Sequence, residues 1–597
     1  MMMINTACCL DCPDVCDIEV NGDKISHSST HPTSNGTLCS LLNREFSKAQ
    51  QIKKARVDGV EVSLDEALLK SFKLLSLPKK LLWRGSGNMG VMSEITNLLF
   101  SKLGGTLTKG SLCDGAGDAG IVAGRGVNRL LPYESIEKAE VIVVWGKNIS
   151  VTASHLMPYL EGKKLVVIDP IKTKIASNAD LFIQIKPRSD IYLAILLARF
   201  VMIAGDEDKE FLKKFAPNYE EYYEFTRTFR IKATLEHIGI DLDVIGHLLS
   251  FLENPKVVHI VGNGVQKYSI GAEVLRAIDA LAVICGHFGK VGCGVSFMGN
   301  SRLGFSNPFE VKSPKVSKVA TPFEKFDVVL IQNGNPVASM PNSSRVKESL
   351  QKTKLIYFGV YENETSAMAD IVIPASNFLQ KNDVRLSYAN HDVKIVNKAM
   401  ESDNSLSEYD FCSAMFKAFG FDGLRDEQYY IDFWLNQTQK IEGKLYSPAK
   451  NDCPYSDGFG EEGDEEFEFM DDFDDDFLDI KALRKARKKI KFSSDDEELW
   501  LITVKSKHSL NTQFKRDHRV FIHPSFGFNE SQKVKLSNEW GEAIFEVSLD
   551  NTMREDSVMV YNSAFGVNNL TTDSISNEGE SACYGDVKVR VVSFDEV

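Results

Sequence analysis

The sequence predicts a multidomain α/β protein. It should have a small cysteine-bearing N-terminal unit, two doubly wound α/β domains and a C-terminal β-rich domain. Three observations predict this. Short, wholly apolar runs recur between helical segments from residue 56 onward, as parallel strands covered on both faces do. Cys8, Cys9, Cys12, Cys16 and Cys39 crowd the start of a 597-residue chain. Beyond residue 495 the apolar runs become short and alternating, the habit of a sheet with one wet face. The boundaries that follow are 1–55, 56–133 with 322–420, 134–321, a 421–495 linker or insert, and 496–597.

Composition narrows the class. The chain is 43% apolar and 25% charged, ordinary for a folded protein and unlike a disordered or fibrous one. A formal charge of −14 argues against a nucleic-acid surface. No run approaches the ~20 apolar residues of a membrane span; residues 191–204 are shorter, carry Arg199 and read as a buried helix. The first residues lack a basic region, an apolar region and a twin-arginine pair, so the expected location is cytoplasmic. No direct membrane insertion is expected. Eleven cysteines in so long a chain are no disulfide scaffold, and their clustering points to metal or redox chemistry.

The cysteines space as Cys8-x3-Cys12-x3-Cys16 or Cys9-x2-Cys12-x3-Cys16, followed after 22 residues by Cys39. Three thiolates on a tight loop and a fourth from a distant turn suit the corners of a [4Fe–4S] cube. Asp11, Pro13, Asp14 and Asp17 make the loop turn-rich. A structural zinc site is the alternative, but it normally pairs CxxC with CxxC, and no second pair is present. One of Cys8 and Cys9 is spare.

The body follows in order. Apolar strands are expected at 80–83, 140–144, 164–168, 257–261, 328–331 and 355–360, and a helix over 93–102. The strands end in turns such as Trp145-Gly146-Lys147-Asn148, Asp169-Pro170, Gly262-Asn263-Gly264 and Asn333-Gly334-Asn335-Pro336. Ligands of open α/β sheets sit beyond these ends, where glycines bring backbone N–H groups close to phosphates. Several such turns suggest a long, phosphate-bearing ligand across two sheets. None is a GxGxxG or P-loop, which disfavours simple NAD binding and ATP hydrolysis.

Taken in order, these motifs resemble the molybdopterin oxidoreductases of the dimethyl-sulfoxide-reductase type. The resemblance runs through Thr6 to Cys16, Gly36-Thr-Leu-Cys39, Gly110-Ser-Leu-Cys113-Asp-Gly-Ala-Gly117, Trp145 to Asn148, Ile168-Asp-Pro170 and Thr173. It continues through Asn333 to Pro336, Glu364 to Ala375, Leu510-Asn511, His523-Pro524 and Asn569 to Thr572. It covers nearly the whole chain except about 420–495. The opening is similar to the branch beginning TACPLDCPDxC, which implies Cys8 as first cluster ligand and Cys9 as the spare thiol. The implied cofactors are the [4Fe–4S] cluster and a molybdenum or tungsten ion held by two pterin guanine dinucleotides. The implied binding residues are Trp145, Gly146, Asn148, Asp169, Thr173, Asp190, Gly262, Gly264, Asn335, Thr365 and Asp370, with Lys505, Asn511 and Asn569 from a C-terminal barrel. Cys113 is implied as the metal ligand, and coordination deprotonates a thiol outright.

Three departures stand out. Leu41 replaces the family's frequent basic residue two positions after the fourth cysteine, Pro187-Arg188-Ser189-Asp190 replaces Pro-Gly-Thr-Asp, and Asp114 follows Cys113 where formate dehydrogenases carry histidine. The last argues against formate oxidation.

The implied activity is two-electron transfer to or from a small molecule, with a lean towards a sulfur or oxyanion compound. Electrons would pass through the cluster to a partner, ferredoxin-like or a membrane anchor. The alternatives are an electron-transfer protein like the large subunit of complex I, with a cluster and no molybdenum, and a non-redox tungsten–pterin hydratase. Finally, 457–479 is acidic with interleaved phenylalanines, and a basic run follows to Lys491. The expectation there is a solvated linker, with a partner-docking segment as the sharper option.

Overall fold

The computed structural model describes residues 3–28, 37–402, 404–472 and 498–594. Near the N-terminus, strands Ile4–Ala7, Asp17–Asn21 and Lys24–His27 form an antiparallel sheet. The cysteine loop bulges from its first connection and is closed by the Cys8 N–H donating to the Cys16 carbonyl at 2.9 Å.

The apolar runs become two sheets. In the larger, parallel strands lie in the order Lys315–Ser317, Thr106–Lys109, Lys80–Arg84, Val328–Gln332, Lys354–Gly359 and Ile371–Pro374, with an antiparallel hairpin, Ala55–Val57 and Val60–Val62, on the edge. In the smaller, all strands are parallel: Leu181–Ile183, Lys164–Ile168, Val141–Trp145, Val257–Val261 and Gly294–Ser296. The strand order reverses between Lys80–Arg84 and Val328–Gln332 in one sheet, and between Val141–Trp145 and Val257–Val261 in the other. Each reversal is a topological switch point, where neighbouring connections leave in opposite directions and open a crevice.

Helices Asp190–Ala204 and Gly271–Ile284 are apolar almost all round because both lie inside the smaller unit's core. Helix Gly115–Arg125 packs onto the second of them. A Cβ at Gly120 would stand 2.0 Å from the Ala272 carbonyl oxygen, so only glycine allows that approach. The helix expected over 93–102 is broken into a 3₁₀ turn, Val91–Glu94, and a helix, Thr96–Lys102. Buried Asp383, which accepts the Met92 N–H at 2.9 Å, fixes the break. The C-terminal runs close into a six-stranded barrel filled by Leu501, Val520, Ile522, Val534, Leu536 and Val558. No helix among the described residues is long and apolar enough to cross a membrane.

Of the segment expected as a linker or insert, residues 421–472 are described and form a packed insert, which differs from the solvated linker expected from residue 457 onward. Helix Glu427–Leu435 and strands Gln439–Ile441 and Lys444–Tyr446 extend a four-stranded sheet with Asp383–Leu386 and Asp392–Val396. Residues 453–470 then run as a strap over helix Gly115–Arg125. Tyr455, Phe459, Phe467 and Met470 are buried in the smaller unit's core. The Glu468 N–H donates to the Gly124 carbonyl at 2.9 Å, and Arg276 donates to the carbonyls of Glu468 and Phe469 at 2.9 and 2.7 Å. Apolar burial outweighs the acidic composition because the carboxylates stay on the wet side. Phe473, Phe477 and the basic run lie outside the described residues.

Phe467→Ala should remove about 3–5 kcal/mol of packing. The expected readout is faster amide hydrogen exchange in helix Gly115–Arg125; unchanged exchange would show that the strap does not hold the helix.

Candidate active site

The turns at both switch points, the cysteine loop and one end of the barrel line a cavity of ≈ 1880 Å³. Of the residues singled out in the sequence, Cys8, Cys12, Cys16, Cys39, Cys113, Gly146, Asn148, Asp169, Thr173, Asp190, Gly262, Gly264, Asn335, Lys505 and Asn511 stand on its wall. The remainder do not line it. Trp145 is fully buried beneath its turn, its indole N–H 3.3 Å from His259 Nδ1. Thr365 is buried behind the wall and donates its hydroxyl to Asn335 Oδ1 at 2.9 Å, fixing that amide. Asp370 lies elsewhere, paired with Lys354 at 2.7 Å and capping the Leu355 N–H. Asn569 donates to the Glu542 carbonyl, while its neighbour Asn568 lines the cavity. Cys9 is buried in the core near Asp383, Lys381 and Arg385.

The cysteine loop is held from three directions. Arg385 donates to the Cys12 carbonyl at 2.9 Å and Ser387 to the Pro13 carbonyl at 2.8 Å. His155, from the smaller sheet's side, brings Nε2 to 3.3 Å from Cys16 Sγ, and its backbone N–H donates to the Asp14 carboxylate. Burial pushes Cys8 up to about 12 and also raises Cys12, Cys16 and Cys39, with neighbouring thiols adding to the rise at Cys8, Cys12 and Cys16 and Asp14 adding to it at Cys39. Among the described residues, no three His, Cys, Asp or Glu side chains close on a single ion position.

Cys113 sits in the turn before helix Gly115–Arg125. Its N–H donates to Ser111 Oγ at 2.9 Å, and its carbonyl accepts from Gln266 Nε2 at 2.5 Å and from Lys267. Gln266 Oε1 accepts the Gly117 N–H at 3.0 Å, tying the same side chain to the first turn of the helix. Asn263 Nδ2 donates to Cys113 Sγ at 3.0 Å. Burial pushes the thiol up to about 11. Asn263, Gln266 and Lys267 were not singled out in the sequence. Their signal was the Gly262-Asn263-Gly264 turn, where attention fell on the glycines.

The wall contains groups that call for a partner. Asp190 Oδ1 is buried with no hydrogen-bond donor in reach, and burial raises Asp169 and Asp190 to about 7. Guanine N–H and ribose O–H groups are the type of donor such carboxylates accept from. Lys147, Lys267 and Lys505, which suit phosphates, line the same space. The donor set therefore fits a phosphate-bearing dinucleotide. Arg188 adopts φ = +72°, at roughly 1–2 kcal/mol of strain. An ion pair to Asp586 at 2.7 Å and a bond to Ser269 at 2.8 Å hold it there.

A pH dependence follows. Between about pH 4 and pH 7 the folded state keeps protons on Asp169 and Asp190 that the unfolded chain releases, so stability falls as pH rises through that window. In cofactor-free protein, Asp190→Asn should raise the melting temperature at pH 8, with the gain shrinking towards pH 5. The same variant should retain less guanine nucleotide on purification. A gain independent of pH would show that the carboxyl is not strained by burial.

The profile of the molybdopterin oxidoreductase family matches residues 81–403. The chain is 24% identical over 512 residues to the probable oxidoreductase YyaE of Bacillus subtilis, covering 76% of each chain. It is 25% identical over 309 residues to the F420-dependent formate dehydrogenase subunit alpha of Methanocaldococcus jannaschii, covering 45% of each. Acetylene hydratase from Pelobacter acetylenicus shares the fold, with a TM-score of 0.74 at 13% identity over 99% of this chain and all of that one. The match across more than half of the sequence, on a fold of two switch-point sheets and a closed barrel, assigns the chain to the molybdopterin oxidoreductase family.

Proposed function

We propose that the chain is a molybdenum- or tungsten-dependent oxidoreductase carrying two pterin guanine dinucleotides and a [4Fe–4S] cluster. It exchanges two electrons with a small sulfur or oxyanion substrate, and these pass singly to or from a partner, a ferredoxin-like carrier or a membrane-anchored subunit. One observation carries the reading: Cys8, Cys12, Cys16, Cys39 and Cys113 all line the cavity into which both switch points open.

The bound pterin metal centre supplies the two-electron chemistry. The chain supplies position and charge. Cys113 is the metal ligand, and Asn263, Gln266 and Lys267 fix its turn and sulfur direction. Asp169, Thr173 and Asp190 accept from guanine and ribose at the smaller sheet; Gly146, Asn148, Gly262 and Gly264 let that dinucleotide approach the backbone. Asn335, Lys505 and Asn511 serve the second dinucleotide between the larger sheet and the barrel. The cluster ligands are Cys8, Cys12, Cys16 and Cys39, whose mutual repulsion as thiolates is relieved by iron. Cys9, buried away from the cavity, is not one of them.

Elemental analysis of anaerobically purified protein tests the reading: about four irons per chain with one molybdenum or tungsten. Irons without either heavy metal, from cells supplied with both, would overturn it in favour of a pure electron carrier. Cys8→Ser should lose the cluster and Cys9→Ser keep it, and the opposite result would reverse their assignment. Cys113→Ala should abolish turnover and alter the heavy-metal EPR signal with iron content intact. Full activity in that variant would remove Cys113 from the metal.

A further inference from the structure

Asn263 sits in a turn but does not use its side chain as turn asparagines do. In turns, asparagine normally bonds its own neighbouring backbone. Here Nδ2 donates to Cys113 Sγ at 3.0 Å, across 150 residues of chain. Oδ1 is buried with no hydrogen-bond donor among the described residues, at a cost of about 1–3 kcal/mol that turn geometry does not repay. Among the described residues, Asn263 is the one side chain that hydrogen-bonds this sulfur. Ser111, Gln266 and Lys267 hold the backbone of the Cys113 turn instead.

The contact is built into the backbone around it. Asn263 opens the 3₁₀ turn Asn263–Gln266. Gln266, at the other end of that turn, bonds both the Cys113 carbonyl and the Gly117 N–H. Lys267, next in the chain, donates to the carbonyls of Leu112 and Cys113. On its other side the segment is seated against the neighbouring turn, where a Cβ at Gly264 would stand 2.9 Å from the Gly146 carbonyl oxygen. An occupant of the cavity cannot part the amide from the sulfur without breaking this set.

Chemistry fixes which end of the amide faces the sulfur. A thiol can donate weakly to an amide oxygen, but a metal-bound thiolate has no proton and only accepts. A donor on a coordinating sulfur draws off electron density and stabilises the reduced centre over the oxidised one. Lys267 and Lys505 also place positive charge near Cys113, but neither bonds its sulfur directly.

We propose that Asn263 is a positioning residue that sets the reduction potential of the metal centre: its amide N–H stays on the coordinated Cys113 sulfur and raises that potential. The inference rests on Cys113 being the metal ligand. Asn263→Leu removes the donor at nearly constant volume. Asn263→Asp keeps the shape as well, and exchanges the donor for negative charge.

The test is a redox titration of the holoenzyme followed by its heavy-metal EPR signal, with molybdenum, tungsten, iron and guanine nucleotide measured on every sample. Both variants should titrate at lower potential than the wild type, Asn263→Asp lowest, with metal and nucleotide contents unchanged. At the wild type's midpoint, the oxidised-to-reduced ratio should rise about threefold or more in Asn263→Leu, a fraction of what a hydrogen bond to a charged group is worth. An unchanged or higher potential in Asn263→Leu would overturn the proposal. Should that variant lose the metal, Asn263→Asp decides in its place. Loss of metal or nucleotide from both would also overturn it, assigning the residue to cofactor retention. A wild type without molybdenum or tungsten would instead fail the underlying enzyme assignment.

Discussion

A buried cavity crowded with ionisable groups has to balance its charge, and the rest of the molecule follows from how that is done. The chain carries a formal charge of −14, yet its interior cavity presents Arg84, Lys147, Lys267, Lys318, Arg385 and Lys505. Unpaired charge in a low-dielectric space is costly. Burial pushes these groups towards their uncharged forms: Asp169 and Asp190 rise to about 7 while Lys147 and Lys318 fall to about 8. A phosphate-bearing occupant of the kind proposed above would favour the ionised forms by pairing them. Loading and proton exchange are therefore one equilibrium.

Such a balance works only if the charged groups cannot drift apart, and both sheets use the same device to hold them. At each switch point the two neighbouring turns interlock through backbone. A Cβ at Gly262 would stand 2.2 Å from the Gly146 carbonyl oxygen, and one at Gly85 would stand 2.5 Å from that of Asn333. Cys113 is held differently, by side chains in front and by packing behind. Gln266 grips its carbonyl, and the strap of residues 453–470 presses on the far end of the helix it precedes. The strap's phenylalanines thus act on a turn at the opposite end of that helix.

This division explains what was legible in the sequence. Parallel strands announce themselves because burial on both faces demands unbroken apolar runs, and the strands at 164–168 and 257–261 stand where those runs lie. The turns after them were readable for the same reason. Within a turn, the residue that reaches the cavity was not always the one chosen: Trp145 faces the core, at the end of a strand where one step reverses side-chain direction, and Asn568 lines the cavity in place of Asn569, in a 3₁₀ turn where one step swings it by about a third of a circle. Thr365 and Asp370 shape or stabilise the scaffold, and local pattern does not separate that from ligand contact. The strap was misread because composition averages over its two sides, acidic without and phenylalanine within.

The same physics accounts for a departure that the sequence left open. Leu41 stands where the sequence resemblance implied a cation near the cysteine loop, and it lines the cavity as an apolar side chain. The positive charge is nevertheless present. Lys147, from the turn after the central strand of the smaller sheet, lies within electrostatic reach of Cys12 and Asp14. His155, eight residues further along, touches Cys16 and binds Asp14 through its backbone. The requirement is for positive charge between the loop and the cavity, and the backbone that carries it can belong to either neighbour. Charge supplied from the smaller sheet also ties the N-terminal unit to that sheet, so the electrostatic role and the domain contact are served by one short segment.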